Sequence, residues 1–169
     1  MKNNTSEKKY KVFNVPLIKN STEFLTDIHK EKILTKALIL HQEGNIKSAS
    51  KIYKILIEQG FYDRRALSNY ALICREQGQI EYSKILYLKY IKMFPKESDA
   101  YANIGLLLTQ QCKFEEALKY TLDAINLNPK DHELLLNLGY IYKLKDELEN
   151  AELATQKAIK LKPNYILSH

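Results

Sequence analysis

A period of 34 residues limits what this 169-residue chain can become. Small residues recur at Ala37, Ala71, Gly105 and Gly139, and again at Ala49, Ser83, Ala117 and Ala151. Tyr53, Tyr87, Thr121 and Thr155 follow four residues later. Phe61, Pro95, Pro129 and Pro163 end each unit, and at Pro a helix must stop because the residue lacks an amide donor and restricts its predecessor.

Inside each unit the apolar residues keep helical spacing in two runs, for example Tyr101, Ile104, Leu108 and then Phe114, Ala117, Leu118, Thr121. Each unit therefore reads as a helical hairpin. The break between its helices falls at Gly44, Gly78, Cys112 and Asp146. Gly takes the left-handed conformation of a helix end without strain, Asp at modest cost and Cys less comfortably. The paired small series let helices approach closely, so Ala117→Leu or Gly139→Leu overpacks a contact at a cost of about 1–3 kcal/mol.

Composition agrees with an all-α reading, since five Gly and four Pro are few for a protein built of tight β-turns. The 26 basic and 20 acidic residues alternate along most of the chain, the pattern of a solvated surface. Only Lys8, Lys9 and Lys11 cluster, which leaves room for an acidic partner there. Cys74 and Cys112 lie in apolar helical patterns and read as buried, reduced thiols. The N-terminus has no apolar core of signal-peptide length, and no apolar run spans a bilayer, so a cytoplasmic protein without membrane contact is expected.

The spacing Tyr101, Ile104-Gly105, Leu108, Ala117, Ala124, Pro129 and its echo Leu135, Leu138-Gly139, Tyr142, Ala151, Ala158, Pro163 resemble the tetratricopeptide repeat. The resemblance implies a right-handed α-solenoid of four hairpins over residues 21–165, in units of about 30–63, 64–97, 98–131 and 132–165. The first unit departs most, with Lys36 in an apolar place and Phe61 where Pro is expected. Residues 1–20 read as a flexible arm whose apolar island, Val12 to Ile18, either covers the first hairpin or serves as a short ligand. Helix is expected from Asn20 or Ser21, with Glu23 as a capping partner. Residues 166–169 look like the opening of a further helix without a polar cap, so self-association through the last hairpin, or continuation into a longer protein, is expected.

In tetratricopeptide proteins the first helix of each hairpin lines a concave groove that takes extended peptides. Here Asn69, Asn103 and Asn137 stand one period apart, with Thr35 in the corresponding place. Such a row resembles the asparagine ladder of O-linked N-acetylglucosamine transferases, in which amides meet a peptide backbone, and it is equally what a solvated groove would carry. Leu38, Leu72, Leu106 and Tyr140 run beside it, as a docking stripe or as packing against second helices. The basic clamp of chaperone adaptors is absent, although Arg65, Arg75 and Lys143 remain to meet acidic side chains.

His29, His41, His132 and His169 lack metal-ligand spacing, and no phosphate loop, nucleophile elbow or paired-carboxylate motif is present. Glu115 and Glu116 open a helix and complement its dipole. The expected function is a non-catalytic scaffold, without cofactor or metal, for a protein or peptide ligand. The alternative is the recognition arm of a larger sulfotransferase, glycosyltransferase or oxygenase, since some segments resemble multi-repeat proteins of cyanobacteria. The net basicity permits a third reading, RNA binding by a helical-repeat surface, but no basic ladder runs at the period, so nucleic acid is not expected as a partner.

Overall fold

The computed structural model describes residues 27–162. The arm, its island, the helix start near Asn20 and the residues from Pro163 onward lie outside them. Among the described residues the chain forms eight α-helices: α1 Asp27–Gln42, α2 Ile46–Glu58, α3 Arg64–Glu76, α4 Ile80–Met93, α5 Ser98–Gln110, α6 Phe114–Leu127, α7 His132–Leu144 and α8 Leu148–Leu161. They pair as four antiparallel hairpins stacked in chain order into a right-handed α-solenoid, each hairpin packing on the next.

The turn inside every hairpin is built alike. Gly44, Gly78, Cys112 and Asp146 have φ of 79°, 75°, 57° and 62°. The next amide then reaches back to a helix carbonyl: Asn45 N–H to Leu40 O, Gln79 N–H to Cys74 O, Lys113 N–H to Leu108 O and Glu147 N–H to Tyr142 O, at 2.8–2.9 Å. Left-handed geometry thus satisfies carbonyls that a helix end would otherwise orphan. The first hairpin ends by the same device, with Gly60 at φ 78° and Phe61 N–H on Leu56 O, which is why Phe61 can stand where the later units use Pro. Starts are capped where a short polar side chain is present: Asp63 accepts from Arg65 N–H and Asp131 from Glu133 N–H.

The small series lie where helices cross. A Cβ on Gly105 would meet Thr121 Oγ1 at 2.5 Å, and one on Gly139 would meet Thr155 Oγ1 at 2.9 Å and Ala151 O at 3.2 Å. In the second hairpin Ser83 Oγ donates to Ala71 O across the same crossing at 2.7 Å. Around these points lies a continuous core that includes Leu34, Tyr53, Leu67, Ile73, Tyr87, Ile104 and Leu108, all fully buried.

The array is polar at one end. Positions filled by buried Ala66 and Tyr70, Ala100 and Ile104, and Leu134 and Leu138 are held in α1 by exposed Lys32 and Lys36. Lys36, odd for the repeat, thus stands on a face with no hairpin before it among the described residues. At the other end Tyr140 and Leu148 are 54% and 62% exposed. One expectation is corrected: Cys74 is buried, but Cys112 is exposed, because it forms the left-handed turn itself and not the apolar helix before it.

Candidate functional site

Every candidate residue lies on one of the first helices α1, α3, α5 and α7. Their fates differ. Burial pushes the pKa of the Tyr53 phenol up, and the Asn69 amide acts on it in the opposite sense. His41 Nδ1 stands 3.4 Å from the same hydroxyl. Asn103 turns the other way, its Nδ2 donating to Asp99 O of its own helix at 2.8 Å, and Thr35 Oγ1 does the same to Glu31 O at 2.9 Å. Asn137 is half-buried. The row is therefore not one uniform ladder of amides.

The apolar stripe divides similarly. Leu38, Leu72 and Leu106 are half-buried, Leu38 packing on the core, whereas Tyr140 is largely exposed. Tyr140, Lys143 and Leu136 of α7 join Leu148, Thr155 and Ile159 of α8 around an open groove of about 580 Å³ on the last described hairpin.

Arg65 is occupied internally. It donates to Asp63 Oδ1 at 2.9 Å and to Glu31 Oε1 and Oε2 at 2.8 and 3.0 Å, tying the second hairpin to the first. Those carboxylates raise its pKa, and although burial alone would raise that of Asp63, the Arg65 hydrogen bonds outweigh it and hold the carboxyl below its usual value. Arg64 pairs with Glu97 at 3.2 Å, and Lys145 with Glu115 and Glu147 at 2.8 and 2.7 Å, so each hairpin junction carries a charged tie. Glu115 and then Glu147 push the Lys145 pKa up to about 12. Arg75 and Lys143, by contrast, form no ion pair among the described residues.

One pattern was missed. The last turns of the first helices carry His41, Arg75, Thr109 and Lys143, one period apart, while the opposite series is Glu31 in the second turn of α1 and Arg65, Asp99 and Glu133 in the first turns of α3, α5 and α7. One edge of the face is thus mainly basic and the other mainly acidic, as helix dipoles favour. The 34-residue spacing was the signal that could have found it. Among the described residues no group of three His, Cys, Asp or Glu could hold a metal ion, and no helix is long and apolar enough to cross a membrane.

Four stacked helical hairpins define a helical-repeat solenoid. More particularly, the chain carries tetratricopeptide repeats: residues 98–131 and 132–165 match that family. No curated protein matches the chain. Solved structures share its fold. MamA from Desulfovibrio magneticus RS-1 aligns over 80% of this chain and 77% of its own, at 16% identity and a TM-score of 0.72. YrrB, described as a tetratricopeptide protein with an unusual peptide-binding site, aligns over 82% and 72%, at 16% identity and 0.72. PilF of Pseudomonas aeruginosa aligns over 80% and 62%, at 20% identity and 0.69.

Proposed function

We propose that this chain is a non-catalytic cytoplasmic scaffold that holds an extended segment of another protein along its first-helix face. The observation that carries the reading is the spacing of half-exposed side chains there: Asn103 and Asn137 as hydrogen-bonding groups, Leu72, Leu106 and Tyr140 beside them. Helix backbones have no free donors or acceptors in mid-span, so a bound strand must be met by side chains, and Asn offers both functions. The peptide-binding site named for YrrB supports the same use of the fold.

The test is a displayed library of unstructured peptides selected on the native chain, followed by affinity measurements on Asn103→Ala/Asn137→Ala. Asn69 is left intact because it also serves Tyr53. Each hydrogen bond lost should weaken binding by about 0.5–1.5 kcal/mol with helicity unchanged. Unchanged affinity would remove the face from the reading. The open apolar groove of α7 and α8 favours a second use, self-association. Sedimentation at rising concentration should then show growing mass, and a constant 19.7 kDa species would exclude it.

A further inference from the structure

We propose that the groove of α7 and α8 pairs with the same groove of a second copy about a two-fold axis parallel to the helices, so that Lys143 of each copy meets Glu152 of the other. This pairing rests on the self-association reading above and fixes its form, a closed dimer joined tail to tail instead of a filament joined head to tail.

On the third hairpin, against which α7 packs, Leu106, Phe114 and Ile125 are half-buried. Their counterparts one period on, Tyr140, Leu148 and Ile159, are exposed and line the open groove. An apolar surface that interior hairpins cover and the last described one leaves open marks a docking face. The two charged residues that line it, Lys143 and Glu152, have opposite signs. Lys143 forms no ion pair among the described residues, and Glu152 accepts from Gln156 Nε2 of its own helix at 3.0 Å.

Extension of the array, with α1 of a second copy in the groove, is opposed by charge. The first helices that have a hairpin before them bury Ala66 and Tyr70, Ala100 and Ile104, or Leu134 and Leu138. In those places α1 would bring Lys32 and Lys36. The groove offers these two ammonium groups one carboxylate, Glu152, and a further cation, Lys143. Burying a charge that lacks a partner is strongly unfavourable. The junction ties would fail as well. Glu81 accepts from Gln111 at 2.9 Å and Glu115 from Lys145 at 2.8 Å, whereas the next pair in that series would set Glu149 against Glu43 of the second copy.

A two-fold axis along the helices instead sets the groove against itself. The antiparallel α7 and α8 place Gly139 beside Ala151 and Thr155. Lys143, one turn nearer the connection, therefore lies within about a turn of the level of Glu152. In the pair, α7 of one copy runs beside α8 of the other at the same level, as in an up-down-up-down four-helix bundle. An isologous contact repeats every pairing, so Lys143 meets Glu152 twice, around Tyr140, Leu148 and Ile159 of both copies.

The experiment follows sedimentation of the full chain and of Lys143→Glu and Glu152→Lys, each alone and the two mixed in equal amounts. The native chain should rise with concentration to twice 19.7 kDa and stop there. Either variant alone sets like charges together twice, so its dimer should be at least about tenfold weaker while the circular dichroism stays helical. In the mixture both cross pairs join opposite charges again, and pairing should return to the native affinity. Growth past twice that mass, single variants that pair as tightly as the native chain, or a mixture no tighter than they are would each leave self-association standing and overturn the two-fold pairing. A constant 19.7 kDa species would mean that the groove takes another occupant, residues 163–169 or a different protein, and both readings would fall together.

Discussion

The two halves of the array fill the same crossing in opposite ways. In the first and second hairpins an Ala faces a ring, Ala37 with Tyr53 and Ala71 with Tyr87; in the third and fourth a Gly faces a Thr, Gly105 with Thr121 and Gly139 with Thr155. Where the ring is present the crossing buries an aromatic body with a polar tip. Where Gly and Thr meet, the backbones run close along more of their length, and a single Cβ would intrude on the Thr hydroxyl. The small residue matters less than the sum of the pair. The match to the tetratricopeptide family falls on the Gly–Thr half.

Gly139→Leu should break the comparison most severely. The side chain has Thr155 Oγ1 at 2.9 Å and Ala151 O at 3.2 Å from its first carbon, and a backbone carbonyl cannot swing aside. We expect a loss of about 1–3 kcal/mol in urea unfolding. Gly105→Ala sharpens the point, because Ala gains roughly 1 kcal/mol of helix propensity over Gly while its Cβ meets Thr121 Oγ1 at 2.5 Å. Destabilisation by Gly105→Ala that is relieved when combined with Thr121→Ala would establish pairwise coupling. A more stable single variant would show that propensity outweighs close approach and that the two halves differ only in volume.

Within the Ala–Tyr half, the two rings differ in one atom's surroundings, which sets the next effect. Tyr53→Phe deletes a hydroxyl that has partners and should cost about 0.5–1.5 kcal/mol. Tyr87→Phe deletes one that has none, so the free chain should be unchanged or up to about 1 kcal/mol more stable. Equal losses in thermal unfolding would mean that the Tyr87 hydroxyl is already satisfied.

These contrasts explain what could be read in advance. Helical hairpins, their turns and their stacking were legible because each depends on residue size and backbone tolerance at a fixed period, down to the left-handed Asp146. The site was less legible because it depends on which way a side chain turns. Nothing in the identity of Asn69 and Asn103 distinguishes the amide that serves Tyr53 from the one that serves Asp99 O. Arg65 read as a free cation because its partner Glu31 lies one whole period away. Cys112 was placed by the apolar run preceding it, although the turn at the same residue exposes it.

The smallest expected effect separates the junctions that hold the two halves. Asp63 is held below its usual carboxyl pKa of 3.8, so its tie to Arg65 is fully formed above that value and is lost as pH falls through the lower, folded one. Glu147, beside Lys145 at another junction, is lowered in the same direction but its side chain is more open to solvent than that of Asp63, so salt screens its pairing more. Thermal unfolding followed from about pH 5 to pH 3 should lose less than about 1 kcal/mol through Asp63. Asp63→Asn, which keeps a good cap, should flatten that slope in high salt as in low, whereas Glu147→Gln should alter it only in low salt. A salt-sensitive Asp63 slope would mean that the Glu31–Arg65–Asp63 tie is a surface contact like the other, and that the crossings alone distinguish the halves.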